Sequence, residues 1–312
     1  MTASPPSPPS PSSPRPPDVA APADVIHDIG FRHYDGPRFG RGWVARSLLV
    51  DTIRGIFGIG RPARSKVMPW VLVGILSVPP IIIGLVVLLT GGDEPPISYT
   101  QFLYQFNVPI SLFVAGAAPY AVSRDLRHGV LPLYLSRPLV RTDYVAARYG
   151  GLAIAVFAIL AVPQTLLLVG ALLAELDAGE QLVGWAGGLA MAVLLALLLS
   201  AVSLAIAAFT PRRGLGVAAI ITVLIVVQGF SFALSGIAYG EDARDLAALA
   251  GAMDPYRLVD GLAVWLLGVD PVIPDFAPTD AGQGAVFVLV YVVALAAFGG
   301  LLLRRYRKAG RL

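Results

Sequence analysis

The residues best suited to chemistry or recognition gather in one short stretch, SRDLRHGVLPLYLSRPLVRTDYVAARYG, residues 123–150, which carries five arginines. Asp125 and Arg127 come first, then Gly129 and an apolar stripe of Leu131, Leu133, Tyr134 and Leu135. Ser136-Arg137-Pro138 follows, and Arg141, Tyr144 and Arg148 lead into the next apolar run. Charges beside large apolar side chains make ion pairs and docking surfaces, which is recognition rather than bond making. Pro132 and Pro138 divide the segment into short pieces, and Thr142 is the expected N-cap of the helix that follows. A compact hydrophobic knob edged by arginine results, suited to a groove on a cytoplasmic partner.

Candidates for catalysis are few. A phosphate-binding loop needs Gly-x-x-x-x-Gly-Lys-Ser/Thr, and the two lysines, Lys66 and Lys308, stand in neither setting. Leu234-Ser235-Gly236 lies inside an apolar run and reads as chance. The three histidines, His27, His33 and His128, fall outside the apolar runs and read as ordinary solvated residues. With zero cysteines, disulfides, thiolate metal sites and thiol catalysis are excluded. Neither metal-ligand spacing nor a nucleophile–base pair is found, so no catalytic, cofactor-binding or metal-binding residue is assigned.

What must position the 123–150 stretch is a membrane domain. The 312 residues are 56% hydrophobic and 14% charged, too little charge to cover a soluble domain of that size. A crossing takes about 20 apolar residues. Six runs reach that length, at about 67–90, 101–122, 149–174, 182–210, 214–238 and 284–303. They are continuous rather than alternating, so the expected fold class is an all-α polytopic membrane protein with six transmembrane helices. Of the 23 cations, nine precede the first run, five lie in 123–148, two are Arg212 and Arg213, and five follow the last run. Only Arg244 and Arg257 fall on the other side, so both termini are expected in the cytoplasm.

The remaining pieces read by composition. Residues 1–25 are a Pro/Ser-rich tail expected to be disordered, with no apolar region of a signal peptide. Residues 26–66 form a cytoplasmic segment containing WVARSLLVDTIRGIF, 43–57. Leu49, Ile53 and Ile56 lie on one side of that helix and Ser47, Asp51 and Arg54 on another, fitting an interfacial helix or one packed on its own protein. The transmembrane domain spans 67–303, and 304–312 is a basic end. Between the last two runs, 239–283 holds eight Asp or Glu and the short apolar LVDGLAVWLLG, 258–268. That piece suits a re-entrant or interfacial cap, or a surface loop with an incidental apolar turn. Pro79, Pro80, Pro109, Pro119 and Pro163 should kink their helices. Span interiors offer only neutral polar groups such as Asn107, Gln164, Gln228 and Ser231, which argues against proton coupling. Few lysines beside many arginines, alanines and glycines suggest a GC-rich bacterial genome.

At 123–148 the sequence resembles the permease subunits of type-2 ABC transporters. Their loop between the second and third spans carries an acidic residue, a Gly four positions on, an apolar run, a Pro with Ser-Arg nearby, and a basic residue entering the next span. Asp125, Gly129, Leu131, Ser136-Arg137-Pro138, Arg141, Tyr144 and Arg148 occupy that pattern, with Asp125 and Arg148 where the family usually has Glu and Lys. The span count, N-terminal helix and segment before the last span extend the resemblance over roughly residues 30–312. It implies a non-catalytic subunit of a bacterial plasma-membrane exporter that binds no ATP itself. Two ABC ATPase subunits and a second permease chain, identical or related, would complete it. Arg127, Leu133 and Tyr134 join the loop residues named above as the implied ATPase-coupling surface. Membrane lipids are expected partners and nucleic acid is not. A secondary transporter or channel, and a membrane assembly protein without a transport path, stay open beside this reading.

Overall fold

Inside hydrocarbon a chain must satisfy its backbone groups internally, and unbroken apolar runs leave the helix as the means. The computed structural model describes residues 36, 39–91, 96–127, 129, 133, 134, 136, 139–210 and 212–309. Among them are helices and turns but no strand. The expected tail at 1–25 and the end at 310–312 lie outside the described residues.

The α-helices of the described residues belong to the compact unit Phe39–Leu312. In chain order they are α1 (Arg41–Ile56), α2 (Arg64–Thr90), α3 (Tyr99–Gln105), α4 (Asn107–Arg127), α5 (Arg141–Leu173), α6 (Ala178–Phe209), α7 (Arg213–Gly240), α8 (Arg244–Ala250), α9 (Pro255–Leu267) and α10 (Ala281–Ala309). Five of them, α2, α5, α6, α7 and α10, are long and apolar enough to cross a membrane, and α3 with α4 makes a sixth if the pair counts as one span. The chain is thus an all-helical, multi-pass membrane protein.

The second apolar run is not one straight helix. α3 and α4 meet at an angle of 66° at Phe106. Ser98 and Gln101 cap the start of α3 reciprocally, side chain to backbone N–H, each at 3.2 Å. Asn107 Nδ2 donates to the Tyr104 carbonyl at 2.8 Å and closes its end. Pro109 then falls in the first turn of α4, where its missing N–H costs least. Pro79, Pro80, Pro119 and Pro163, by contrast, sit inside helices that continue through them.

One further boundary differs from the sequence reading. α5 begins at Arg141, within the stretch expected to open a helix, but its N-cap is Val140, two residues before the expected Thr142. Asp143 does the capping work instead, accepting the Val140 N–H at 3.4 Å while Arg41 of α1 pairs with its carboxylate. α1 turns Leu48, Thr52 and Ile56 inward against α5 and leaves Ser47, Asp51 and Arg54 exposed.

At the centre lies α6, whose most apolar window is 67% buried against 17% for α7 and α10. Its buried side chains are mostly small, among them Ala192, Ala196, Ser200, Ala201, Ser203 and Ala205, so neighbours approach closely. A close backbone approach also joins α2 to α5. A Cβ on Gly84 would lie 2.8 Å from the Gly170 Cα. Gly170→Leu should therefore lower unfolding stability in detergent by about 1–3 kcal/mol through overpacking. Gly74→Leu, on α2 with nothing within 4 Å of its Cβ, should stay within about 0.5 kcal/mol of the parent.

Candidate functional site

α4 ends where α5 starts, and the two bring opposite charges together out of water. Arg148 and Asp125 are both buried, and Arg148 Nη2 reaches Asp125 Oδ2 at 2.5 Å. Tyr144, one turn earlier on the same face of α5, donates its hydroxyl to the same carboxylate. The rest of the guanidinium is also occupied. Nε donates to the Tyr144 hydroxyl at 3.3 Å, and Nη1 to Thr52 Oγ1 at 3.0 Å. Thr52 passes its own proton to the Leu48 carbonyl at 2.7 Å. Asp51, exposed, stands 3.7 Å from Nη1. A buried arginine with its donors paired is stable in place, and removing any partner is expensive.

Aromatic rings extend this cluster in two directions. The Tyr134 ring lies 5.5 Å from that of Tyr144, and the buried Tyr306 of α10 lies 5.3 Å from it on another side. Asp125, Tyr144 and Arg148 thereby tie α1, α4, α5, α10 and the connecting segment to one point.

Between 128 and 138 the described residues of the connecting segment are Gly129, Leu133, Tyr134 and Ser136. Gly129 takes a left-handed φ of 61°, a conformation that L side chains seldom adopt, and is exposed. Leu133 is 69% exposed, and Ser136 Oγ donates to the Leu133 carbonyl at 2.9 Å. Leu139 returns the chain to the core and Arg141 opens α5 half-buried. Leu131, Leu135, Arg137 and Pro138, and the side chain of Arg127, lie outside the described residues. Among the described residues the sequence pattern thus divides into a buried anchor and exposed positions at Gly129, Leu133 and Ser136. Asp125, read from sequence as part of a docking face, is turned inward, because the early start of α5 places Arg148 opposite it.

The opposite end of the bundle holds a second charged cluster that the span-by-span reading missed. Arg257 of α9 is buried and donates to Ser235 Oγ at 2.8 Å, Ser231 Oγ at 3.2 Å and the Phe276 carbonyl at 3.3 Å. Gly251 makes room for it, since a Cβ there would lie 2.8 Å from Arg257 Nη2. Asp254 caps α9 through Oδ1, 3.1 Å from the Tyr256 N–H, while its buried Oδ2 accepts no hydrogen bond of normal geometry. Asp260 accepts the Val272 N–H at 3.2 Å through Oδ2 and leaves Oδ1 unpartnered. Burial pushes both carboxyls up to about 6 and lowers the Arg257 guanidinium. Two cavities of about 10 Å³, each near the size of a water, touch Asp260. The sequence signal was present in the acidic 239–283 segment; its burial depends on α3, α6 and α7 and could not be read locally.

Thr52 and Tyr306 complete the first cluster from far along the chain and carried no local signal. Among the described residues no group of three or more His, Asp or Glu side chains is placed to hold a metal ion. The chain matches no protein-family model and no curated protein.

Two outcomes follow from these geometries. Asp125→Asn and Arg148→Gln should each cost about 3–5 kcal/mol of unfolding stability in detergent, and the double variant should cost less than their sum, as a double-mutant cycle would measure. Asp260→Asn should behave differently. A carboxyl raised to about 6 in the folded protein destabilises it progressively as pH climbs from about 4 to about 6, and by a constant amount above that. The variant should gain on the order of 1–3 kcal/mol over the parent at neutral pH, and the gain should vanish near pH 4.

Proposed function

We propose that this chain is the membrane permease subunit of an ATP-binding cassette exporter, driven by separate ATPase subunits that dock on the segment between α4 and α5. One observation carries the reading: a Leu133 side chain 69% exposed at the tip of a segment whose base is locked by Asp125, Tyr144 and Arg148. An exposed apolar side chain on a rigid base is suited to transmit a push, because force applied at the tip reaches α1, α4, α5 and α10 together. The resemblance of 123–148 to the coupling loop of type-2 permeases assigns the same role to the same residues.

Other features agree. Arg41, Arg61, Arg64, Arg148, Arg213 and Arg305 belong to the end of the bundle that carries the α4–α5 segment, whereas Arg244 and Arg257 belong to the opposite end. By the positive-inside bias the first end is cytoplasmic, and the resemblance implies the bacterial plasma membrane. α1 would lie at the inner surface, with exposed Phe39 and Trp43 stacked 4.1 Å apart at headgroup level. α9, with Leu258, Val259 and Leu262 buried, would close the outer end as a cap. A second copy or a related chain would complete the path, since α7 and α10 leave most of their apolar surface outside the core. The chain itself would not hydrolyse ATP.

Leu133→Asp tests this directly. Leu133 is exposed, so the variant should fold and reach the membrane like the parent. Affinity-purified parent should bring with it a polypeptide carrying a phosphate-binding loop, identifiable by mass spectrometry, together with ATP hydrolysis; the variant should lose about 90% or more of both, as for a central hot-spot residue. Hydrolysis by the rigorously purified single chain, or full ATPase recovery with Leu133→Asp, would refute the assignment.

A further inference from the structure

A cavity of about 280 Å³ opens where α1 ends, α2 and α7 begin and α4 approaches its own end. Arg61, Arg64 and Arg213 line it, together with Ser65. None of the three arginines forms an ion pair among the described residues. Arg61 lies over the Tyr120 ring at 4.1 Å, a contact that orients the guanidinium without neutralising it. Tyr120 can close against α1 because residue 55 is glycine; a Cβ there would lie 2.2 Å from the hydroxyl. The rest of the lining includes the apolar side chains of Ile56, Met68, Phe113 and Ala117. Cations and hydrocarbon in one lining describe an amphipathic ligand.

The local electrostatics add a reason for that ligand to be an anion. α2 and α7 both start at this cavity, and neither has a side-chain cap or an acidic residue in its first turn. Arg64, Lys66 and Arg213 instead stand at the positive ends of two long helices, an arrangement that is unfavourable until negative charge arrives. The volume lies just under the usual range for small-molecule pockets, room for a headgroup rather than a bulky solute. We propose that this cavity binds the phosphate of an anionic membrane lipid, with the guanidiniums of Arg61, Arg64 and Arg213 on the phosphate and the first acyl carbons against Met68 and Phe113. This site is independent of the transport reading and stands or falls without it.

The test uses the full-length chain, delipidated in neutral detergent, with melting temperature and native mass spectrometry as readouts. Dioleoyl-phosphatidylglycerol should bind about 100-fold more tightly than dioleoyl-phosphatidylcholine and raise the melting temperature, on the attraction expected of three interfacial arginines. In R61Q/R64Q/R213Q that preference should disappear, whereas the exposed control pair R46Q/R54Q on α1 should retain it. Without lipid the triple variant should melt at or above the parent temperature, because unfavourable charge has left two helix starts. Equal affinity of the parent for the two lipids would overturn the proposal, as would equal loss in the control pair. Saturation by millimolar inorganic phosphate with no retention of phosphatidylglycerol would also overturn it, by giving the site to a soluble anion.

Discussion

The arrangement depends above all on neutralising one arginine. A guanidinium as buried as that of Arg148 carries a desolvation cost of several kcal/mol unless its charge and donors are met. Asp125, Tyr144 and Thr52 meet them, and they come from three different helices. Each helix is therefore held by a directional contact in addition to apolar packing. That matters in a membrane, where lipid tails solvate an apolar helix face nearly as well as another helix does. The ion pair supplies the register that hydrophobicity alone leaves loose. Its consequence reaches the exposed segment through Tyr134, whose ring rests on Tyr144.

The two ends of the bundle treat buried charge in opposite ways. At one end a carboxylate touches the guanidinium, and the hydroxyls around them point their dipoles into the pair. At the other, Arg257 is met by neutral oxygens from Ser231, Ser235 and Phe276, while Asp254 and Asp260 each keep an oxygen with no hydrogen bond of normal geometry among the described residues. Satisfied polar networks rigidify a core, and unpaired buried groups cost stability. At the Asp125 end the carboxylate and the guanidinium are both met, although the buried Tyr306 hydroxyl beside them makes no hydrogen bond of normal geometry among the described residues. The Asp254 end has groups whose protonation changes within two units of neutral pH, so the sequence-based argument against titratable groups applies to the long helices and not to α9.

Hydropathy was sufficient to find five helices, though not the start of α5 or the end of α10, because about 20 consecutive apolar residues admit few other structures in a membrane. It failed at Phe106, where the run stays apolar and only the caps, Ser98 with Gln101 and Asn107 on Tyr104, tell that α3 stops. Prolines were poor guides for a related reason. Pro109 marks a helix start and belongs to the bend, whereas Pro119 and Pro163 lie mid-helix without ending it. In the 123–148 stretch, residue types and order were legible but orientation was not. Whether Asp125 faces a partner or the core turns on where α5 begins, and Asp143 with Arg41 of α1 decides that from 102 residues away. Thr52 and Tyr306 were beyond reach for the same reason: their roles exist only once the helices have met.

α1 joins the two features at the Asp125 end. Thr52 faces Arg148, and Gly55 with Ile56 borders the arginine-lined cavity one turn later. One short helix therefore contacts both the buried ion pair and the cavity. It cannot shift along its axis by a turn, about 5.4 Å, without withdrawing the Thr52 hydroxyl from Arg148 and moving Gly55 off Tyr120. The first loss leaves a guanidinium donor unpaired in the core, and the second replaces a glycine contact with a bulkier neighbour. Small rotations are restrained as well, since Thr52 is bonded on both sides, to Arg148 and to the Leu48 carbonyl. The position of α1 is thus determined by polar contacts at its C-terminal half and by the Arg41–Asp143 pair at its start. A helix pinned at both ends serves as a strut, and it holds α4 and α5 at the spacing on which the exposed Leu133 tip depends.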